Sequence, residues 1–164
     1  MGDSYLGLKA LSNKVKFKNK DKLFFVDKYY KPELPLNLTK YLLKFANSSI
    51  DVSDGLIDDL AKMINRQCLS FHLFENKIPV SNELSNLIKK QRLNKINLIS
   101  NGDDYQVLFT ADIKKARIIQ NASKATGIKI TKIGKIVSGK DRSLIFDEKG
   151  KQIQAKSKGY IHRF

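Results

Sequence analysis

An α+β fold is what the hydrophobic periods of this sequence predict, with a mixed, largely antiparallel sheet covered by helices. Stretches of 3.6-residue period alternate along the chain with short runs of period two, so helices and strands interleave. Two strand pairs read as hairpins, turned at "NGDD" (101–104) and at "DEKG" (147–150). The 164 residues, 41% of them apolar, are enough for one domain with its own core.

Residues 4–13 ("SYLGLKALSN") carry apolar side chains at helical spacing and end in Asn. Residues 13–22 alternate Lys with other residues, as an exposed strand or loop would. "KLFFVDKYYKPELP" (22–35) reads as an extended joint closed by prolines. The expected division is therefore 1–35, a helix and linker, and 36–164, the α+β domain. Residues 36–47 form an amphipathic helix with Leu38, Leu42, Leu43 and Ala46 on one face. "SSIDVSDG" (48–55) breaks that period as a short strand entering a turn. Helical period resumes at 56–67, with Leu56, Leu60, Met63 and Ile64 inward.

Residues 70–80 alternate as a strand, and a helix over 81–93 is capped by Ser81 or Asn82. Residues 97–111 read as strand, turn and strand. A helix over 112–127 starts at Asp112 and stops at Gly127. A β-branched strand follows at 128–137, with Gly134 as a bulge, and then the hairpin over 142–153.

The formal net charge is +15, from 31 basic and 16 acidic residues. Only five of the basic residues are Arg (Arg66, Arg92, Arg117, Arg142 and Arg163), and the Lys residues are scattered. Base readers rely on Arg and cluster it with aromatics, so a nucleic-acid partner is disfavoured. Solvated Lys faces and attraction of phosphate-bearing ligands both remain open. No apolar run is long enough to span a membrane, and the N-terminus lacks the pattern of a signal peptide. Leu6 stands where a myristoylation motif needs Ser or Thr. A single cysteine, Cys68, allows no internal disulfide; it reads as a buried thiol in a cytoplasmic protein.

Against this basic background, "IDVSDGLIDDL" (50–60) gathers Asp51, Asp54, Asp58 and Asp59 around Ser53 and Gly55. Asp51, Ser53 and Asp54 fall where a strand hands over to a helix. Two carboxylates and a hydroxyl there suit Mg²⁺, a hard cation that takes oxygen ligands. Ser53 or Asp54 could equally be a helix cap, which needs one side chain only. Asp58 and Asp59 fall in the first turns of the helix, where its dipole favours carboxylates, and read as helix dressing. The second acidic turn, "NGDDYQ" (101–106), is either a tight turn with solvated Asp103 and Asp104 or part of the same cation site.

Taken in order, "IDVSDGLIDDL", "IP" (78–79), "NGDDYQVLFT" (101–110), "IGKI" (133–136) and "GYIHRF" (159–164) resemble the C-terminal half of thiamine-monophosphate kinase. "GDSYLGLKAL" (2–11) and "KYYKPELP" (28–35) extend the likeness over essentially the whole chain. That family belongs to the aminoimidazole-ribonucleotide synthetase-like superfamily. The resemblance implies its C-terminal α+β domain and ATP-dependent phosphorylation of thiamine monophosphate to thiamine diphosphate with Mg²⁺. It implies Asp51 and Asp54 as Mg²⁺ ligands, Ser53 as a contact to the nucleotide phosphates, and Asp103 and Tyr160 as substrate contacts. It assigns no catalytic residue to this chain. Tyr160 could otherwise be a tail aromatic packed on the sheet, and His162 an exposed tail residue.

The chain departs from the family at the second turn. Asn101, Gly102, Asp103 and Asp104 stand for Gly-Gly-Glu-Asp, and Asp103 is one methylene shorter than the family Glu. The family's N-terminal half, with most Mg²⁺ ligands and most of the homodimer contact, has no counterpart here. The expectation is an excised domain or a split or eroded gene product, inactive alone. A catalytically silent interaction domain or a basic nucleic-acid-binding module is the alternative reading.

Overall fold

The structure, a computed structural model, describes residues 1–15, 17–65, 67–156 and 159. Seven α-helices and six strands follow one another among them: α1 (Asp3–Leu11), α2 (Asn19–Tyr30), α3 (Thr39–Phe45), β1 (Ala46–Asp51), α4 (Leu56–Met63), β2 (Leu69–Phe74), α5 (Asn82–Gln91), α6 (Lys95–Ile99), β3 (Val107–Ala111), α7 (Ala116–Thr126), β4 (Gly134–Ser138), β5 (Leu144–Phe146) and β6 (Gln152–Ile153). The α+β class is as expected. The strands divide between two sheets: an antiparallel ribbon of β1 and β3, and a four-stranded sheet in the order β4-β2-β5-β6. Within the larger sheet β2 and β5 run parallel and the other pairs antiparallel.

Helix α4 supplies the centre of the core. Val52, Leu56, Leu60, Met63 and Ile64 pack with Phe71 and Leu73 of β2, Ile96 and Ile99 of α6, and Ile145 of β5. All four inward positions read from the period of α4 are buried. A second cluster joins α1, α2 and α5 through Leu6, Phe25, Leu84 and Leu87. A third sets Phe45 of α3 against Ala122 of α7 and Phe109 of β3. An apolar groove of about 1130 Å³, lined in part by Leu60, Phe71, Leu108 and Phe109, lies between the ribbon and the larger sheet.

Several local expectations are corrected. The stretch 22–35 is largely helix α2, not an extended joint. Only Phe25 of this helix is buried, so its Lys-rich sequence shows little amphipathic signal, and packing of Phe25 on α1 and α5 orders it. Leu43 is 95% exposed, because a short 3₁₀ turn over Leu36–Leu38 sets the register of α3 so that Phe45 turns inward. Ala46 already belongs to β1.

Residues 95–99 form helix α6, capped by the Asn94 side chain, not a strand. Gly134 starts β4 in regular register opposite Leu73, so there is no bulge there. Cys68 is exposed in the turn after α4, at a φ of 51°, not buried in a helix. The Ser81 and Asp112 caps, the Gly127 stop and the β5–β6 hairpin are as expected. No helix of the described residues is long and apolar enough to cross a membrane.

Candidate functional site

The site forms where β1 ends. The antiparallel pairing of β1 and β3 reaches Asp51 opposite Val107 and then continues past both strands into the turns. Val52 N–H donates to the Gln106 carbonyl at 2.9 Å, Tyr105 N–H to the Val52 carbonyl at 2.8 Å, and Asp103 N–H to the Ser53 carbonyl at 2.9 Å. The two acidic turns singled out in the sequence are thus bonded backbone to backbone. Two glycines permit the approach. A Cβ on Gly102 would lie 1.8 Å from the Ser53 carbonyl oxygen, and one on Gly55 2.3 Å from that of Ser100. Gly55 also has a φ of 132°, a backbone conformation that side chains disfavour.

The first turn is organised by Asp59. Its Oδ2 accepts the N–H groups of Ser53, Asp54 and Gly55 at 3.0, 2.9 and 3.1 Å. This residue is 1% exposed, and its role corrects the reading of Asp59 as helix dressing. Lys62, one turn further along α4, reaches Asp54 at 2.5 Å, Asp58 at 2.7 Å and Asp59 Oδ1 at 3.2 Å. Hydrogen bonds to Asp54 and Asp58 push the Lys62 ammonium well above its usual range. Asp58 keeps the first-turn place expected of it, half-buried, with Lys62 as its i,i+4 partner.

Among the described residues, Asp54, Asp58 and Asp59 form a group of carboxylates close enough to share a cation, with one oxygen from each lying within 4.8 Å of the others. Hard carboxylate oxygens at this spacing fit Mg²⁺ in donor type. Asp51 is not a member of that group. It lies toward Tyr105, whose phenol is pushed up by partial burial and by the nearby negative charges of Asp103 and Asp51. Asp103 and Tyr105 take positive φ values of 68° and 48°, strained for an aromatic residue, and Asp103 also hydrogen-bonds the phenol. The structure therefore sets Asp54 with Asp58 and Asp59, and Asp51 with Asp103 and Tyr105, at the two ends of one short turn.

Asp104 is buried, which overturns the solvated alternative for this residue. Its Oδ2 accepts the Gly2 N–H at 2.7 Å, tying the start of α1 to the second turn. Burial pushes its carboxyl up to about 6. The neighbouring Asp3 accepts the Ser81 hydroxyl at 2.7 Å, so α5 is anchored at the same place.

Asp59, Lys62, Asp104 and Tyr105 are the residues that sequence reasoning missed. Asp59 had a signal, since a carboxylate four residues after Gly55 can fold back onto the turn's amides. Asp104 had none, because its partner lies 102 residues away. Gly159 lies against Asp58 and the Asp54 carbonyl, which brings the start of "GYIHRF" to this site. Tyr160 and His162 lie outside the described residues.

No family model matches the chain. A thiamine-monophosphate kinase of Buchnera aphidicola (subsp. Schizaphis graminum) is 32% identical over 164 residues, covering 99% of this chain and 50% of the relative. That of Escherichia coli K12 is 28% identical, covering 98% and 49%. The chain thus spans about half the length of these relatives. Among solved structures, AaThiL complexed with AMPPCP and TMP superposes with a TM-score of 0.72 at 27% identity, over 98% of this chain and 48% of that one. The hydrogenase maturation protein HypE of E. coli, 12% identical, has a TM-score of 0.68 over 95% of this chain and 46% of its own, and shares the fold alone. The resemblance read from the motifs is borne out: along nearly its whole length, this chain is similar to about half of thiamine-monophosphate kinase.

Proposed function

We propose that the chain carries the C-terminal part of the site of a thiamine-monophosphate kinase, which transfers phosphate from ATP to thiamine monophosphate and yields thiamine diphosphate. The observation that carries this reading is the backbone pairing of the two acidic turns, in a chain that matches such kinases over 99% of its length. In this reading Asp51 and Asp54 hold Mg²⁺, Ser53 contacts the nucleotide phosphates, and Asp103 and Tyr160 contact the thiamine monophosphate. Phosphoryl transfer is driven mainly by positioning and by neutralising phosphate charge, and bound Mg²⁺ supplies that neutralisation.

The chain's own residues make the other contributions. Asp59 fixes the turn from which Ser53 and Asp54 project. Lys62 holds positive charge beside the carboxylates. Asp104 and Gly102 keep the second turn against the first. An N-terminal part, matching the other half of the relatives, supplies the remaining ligands and the homodimer contact, and the chain is inactive without it.

The test is complementation. The chain is mixed with a separately produced N-terminal half of such a kinase, and ATP-dependent formation of thiamine diphosphate is assayed. Activity only in the mixture, abolished by Asp51→Asn, is the expected result. No activity, together with salt-sensitive binding of RNA or DNA, would replace this reading with that of a basic nucleic-acid module.

A further inference from the structure

The sequence predicts one continuous strand over 128–137, but β4 forms only from Gly134. Residues 128–133 ("IKITKI") have the β-branched composition of a strand without a strand's pairing. No backbone N–H or C=O of Lys129, Ile130, Thr131 or Lys132 has a hydrogen-bond partner among the described residues. Strand β3 is likewise paired on one edge only, by β1. Both stretches line the apolar groove between the ribbon and the larger sheet, where the buried Thr131 Oγ1 also has no partner.

The apolar side chains of this stretch already have their places. Ile128 and Ile130 pack with Phe109 in the cluster of α3 and α7, and Ile133 packs on the central core. What is left unmatched is backbone, and an open backbone edge beside an apolar groove is matched by another extended chain. Charge narrows the choice of that chain. Lys129, Lys132 and Lys135 line the groove, stand exposed and make no ion pair with a described residue. The groove's carboxylates at Asp3, Glu33 and Asp104 are engaged by Ser81, Lys28 and Gly2. Lysines along an edge repel a second copy of a chain whose net charge is +15, and attract acid.

We propose that this groove takes an extended acidic segment of another protein as an added strand. The segment pairs with the 128–133 backbone, sets apolar side chains on alternate residues into the groove, and turns its carboxylates toward Lys129, Lys132 and Lys135. None of the residues that carry this inference belongs to the acidic turns, so it stands or falls apart from the kinase reading.

The probe is a synthetic peptide of alternating valine and glutamate, titrated into the full chain and followed by amide NMR and hydrogen exchange. Amides of 128–133 are expected to shift and to exchange about tenfold more slowly with the peptide bound. The same peptide N-methylated on alternate residues, which cannot donate along that edge, is expected not to bind. Lys129→Glu with Lys132→Glu, both at exposed positions, should weaken the glutamate peptide about tenfold and admit a valine–lysine peptide instead. Equal binding of the N-methylated peptide would reduce the effect to charge adsorption and overturn the proposal, as would shifts that leave 128–133 unmoved. Protection of the same amides that rises with the concentration of the chain alone would assign the groove to a second copy. Protection by a separately produced N-terminal half of a kinase would assign it to that half, and either result overturns the proposal.

Discussion

Beyond the backbone bonds the two turns share, the turn at 51–55 takes its side-chain bonds from neighbours in sequence, and the turn at 101–105 from the far end of the chain. Asp59 reaches the first turn across four to six residues, and Lys62 adds charge from one helical turn further on. The second turn depends on Asp104 bonding Gly2, on the pairing of Asp103 and Tyr105 with β1's extension, and on two residues with positive φ. A locally closed turn can form as soon as its helix does. The other needs the fold assembled around it, and its strained backbone persists only because those distant bonds over-determine it.

If that contrast is right, the seam between the turns is the most sensitive point of the site. Gly102→Ala would drive a Cβ into the Ser53 carbonyl, a backbone atom that cannot swing aside as a side chain would. The expected loss is about 3 kcal/mol or more, read as a lower midpoint in urea unfolding. Amide NMR should show the shift changes concentrated at 101–106, with α4 retained. Disruption of the 53–59 segment to the same degree would mean that the first turn is not self-supporting.

The same contrast explains what could be read in the sequence. The strand-to-helix junction at Asp51–Gly55 and the inward face of α4 were legible because local period and turn chemistry determine both. The likeness of the two acidic turns to one family was legible too. What escaped is set by distance. Ile96 and Ile99 are three residues apart and fully buried, but five residues are too few to tell α6 from a strand by period. Helix α2 buries one side chain, so its order comes from the cluster it joins and not from its own pattern. Asp104 looks like any turn aspartate until Gly2 is placed beside it.

Asp104 gives the second test, through pH. Its folded carboxyl is pushed up to about 6 by burial, above the ordinary 3.8, so between these values the folded protein holds a proton that the unfolded chain has lost. Stability therefore falls as pH rises from about 4 to about 6, by an amount on the order of 3 kcal/mol, and this contribution is flat outside that window. Asp104→Asn keeps an acceptor for the Gly2 N–H and removes the charge. Urea midpoints measured across the window should lose this component of their slope in the variant. A wild-type slope that the substitution leaves untouched would remove Asp104 as the group responsible.

The smallest effect is expected at the first turn, from Lys62→Met. The Lys62 side chain is 45% exposed, and its ion pairs with Asp54 and Asp58 are open to water and salt. Their loss should therefore cost only about 0.5 kcal/mol, and less as salt screens them. Asp59 Oδ2 keeps its bonds to three backbone N–H groups, while its buried Oδ1 loses Lys62. What the substitution does remove is the positive charge set among three carboxylates. Divalent cations should then bind this turn more tightly in Lys62→Met than in the wild type, and restore more stability to the variant than to the wild type in thermal unfolding with and without Mg²⁺. Weaker cation binding in the variant would mean that Lys62 orients the carboxylates and does not compete for them, and that the first turn, like the second, relies on a partner outside its own backbone.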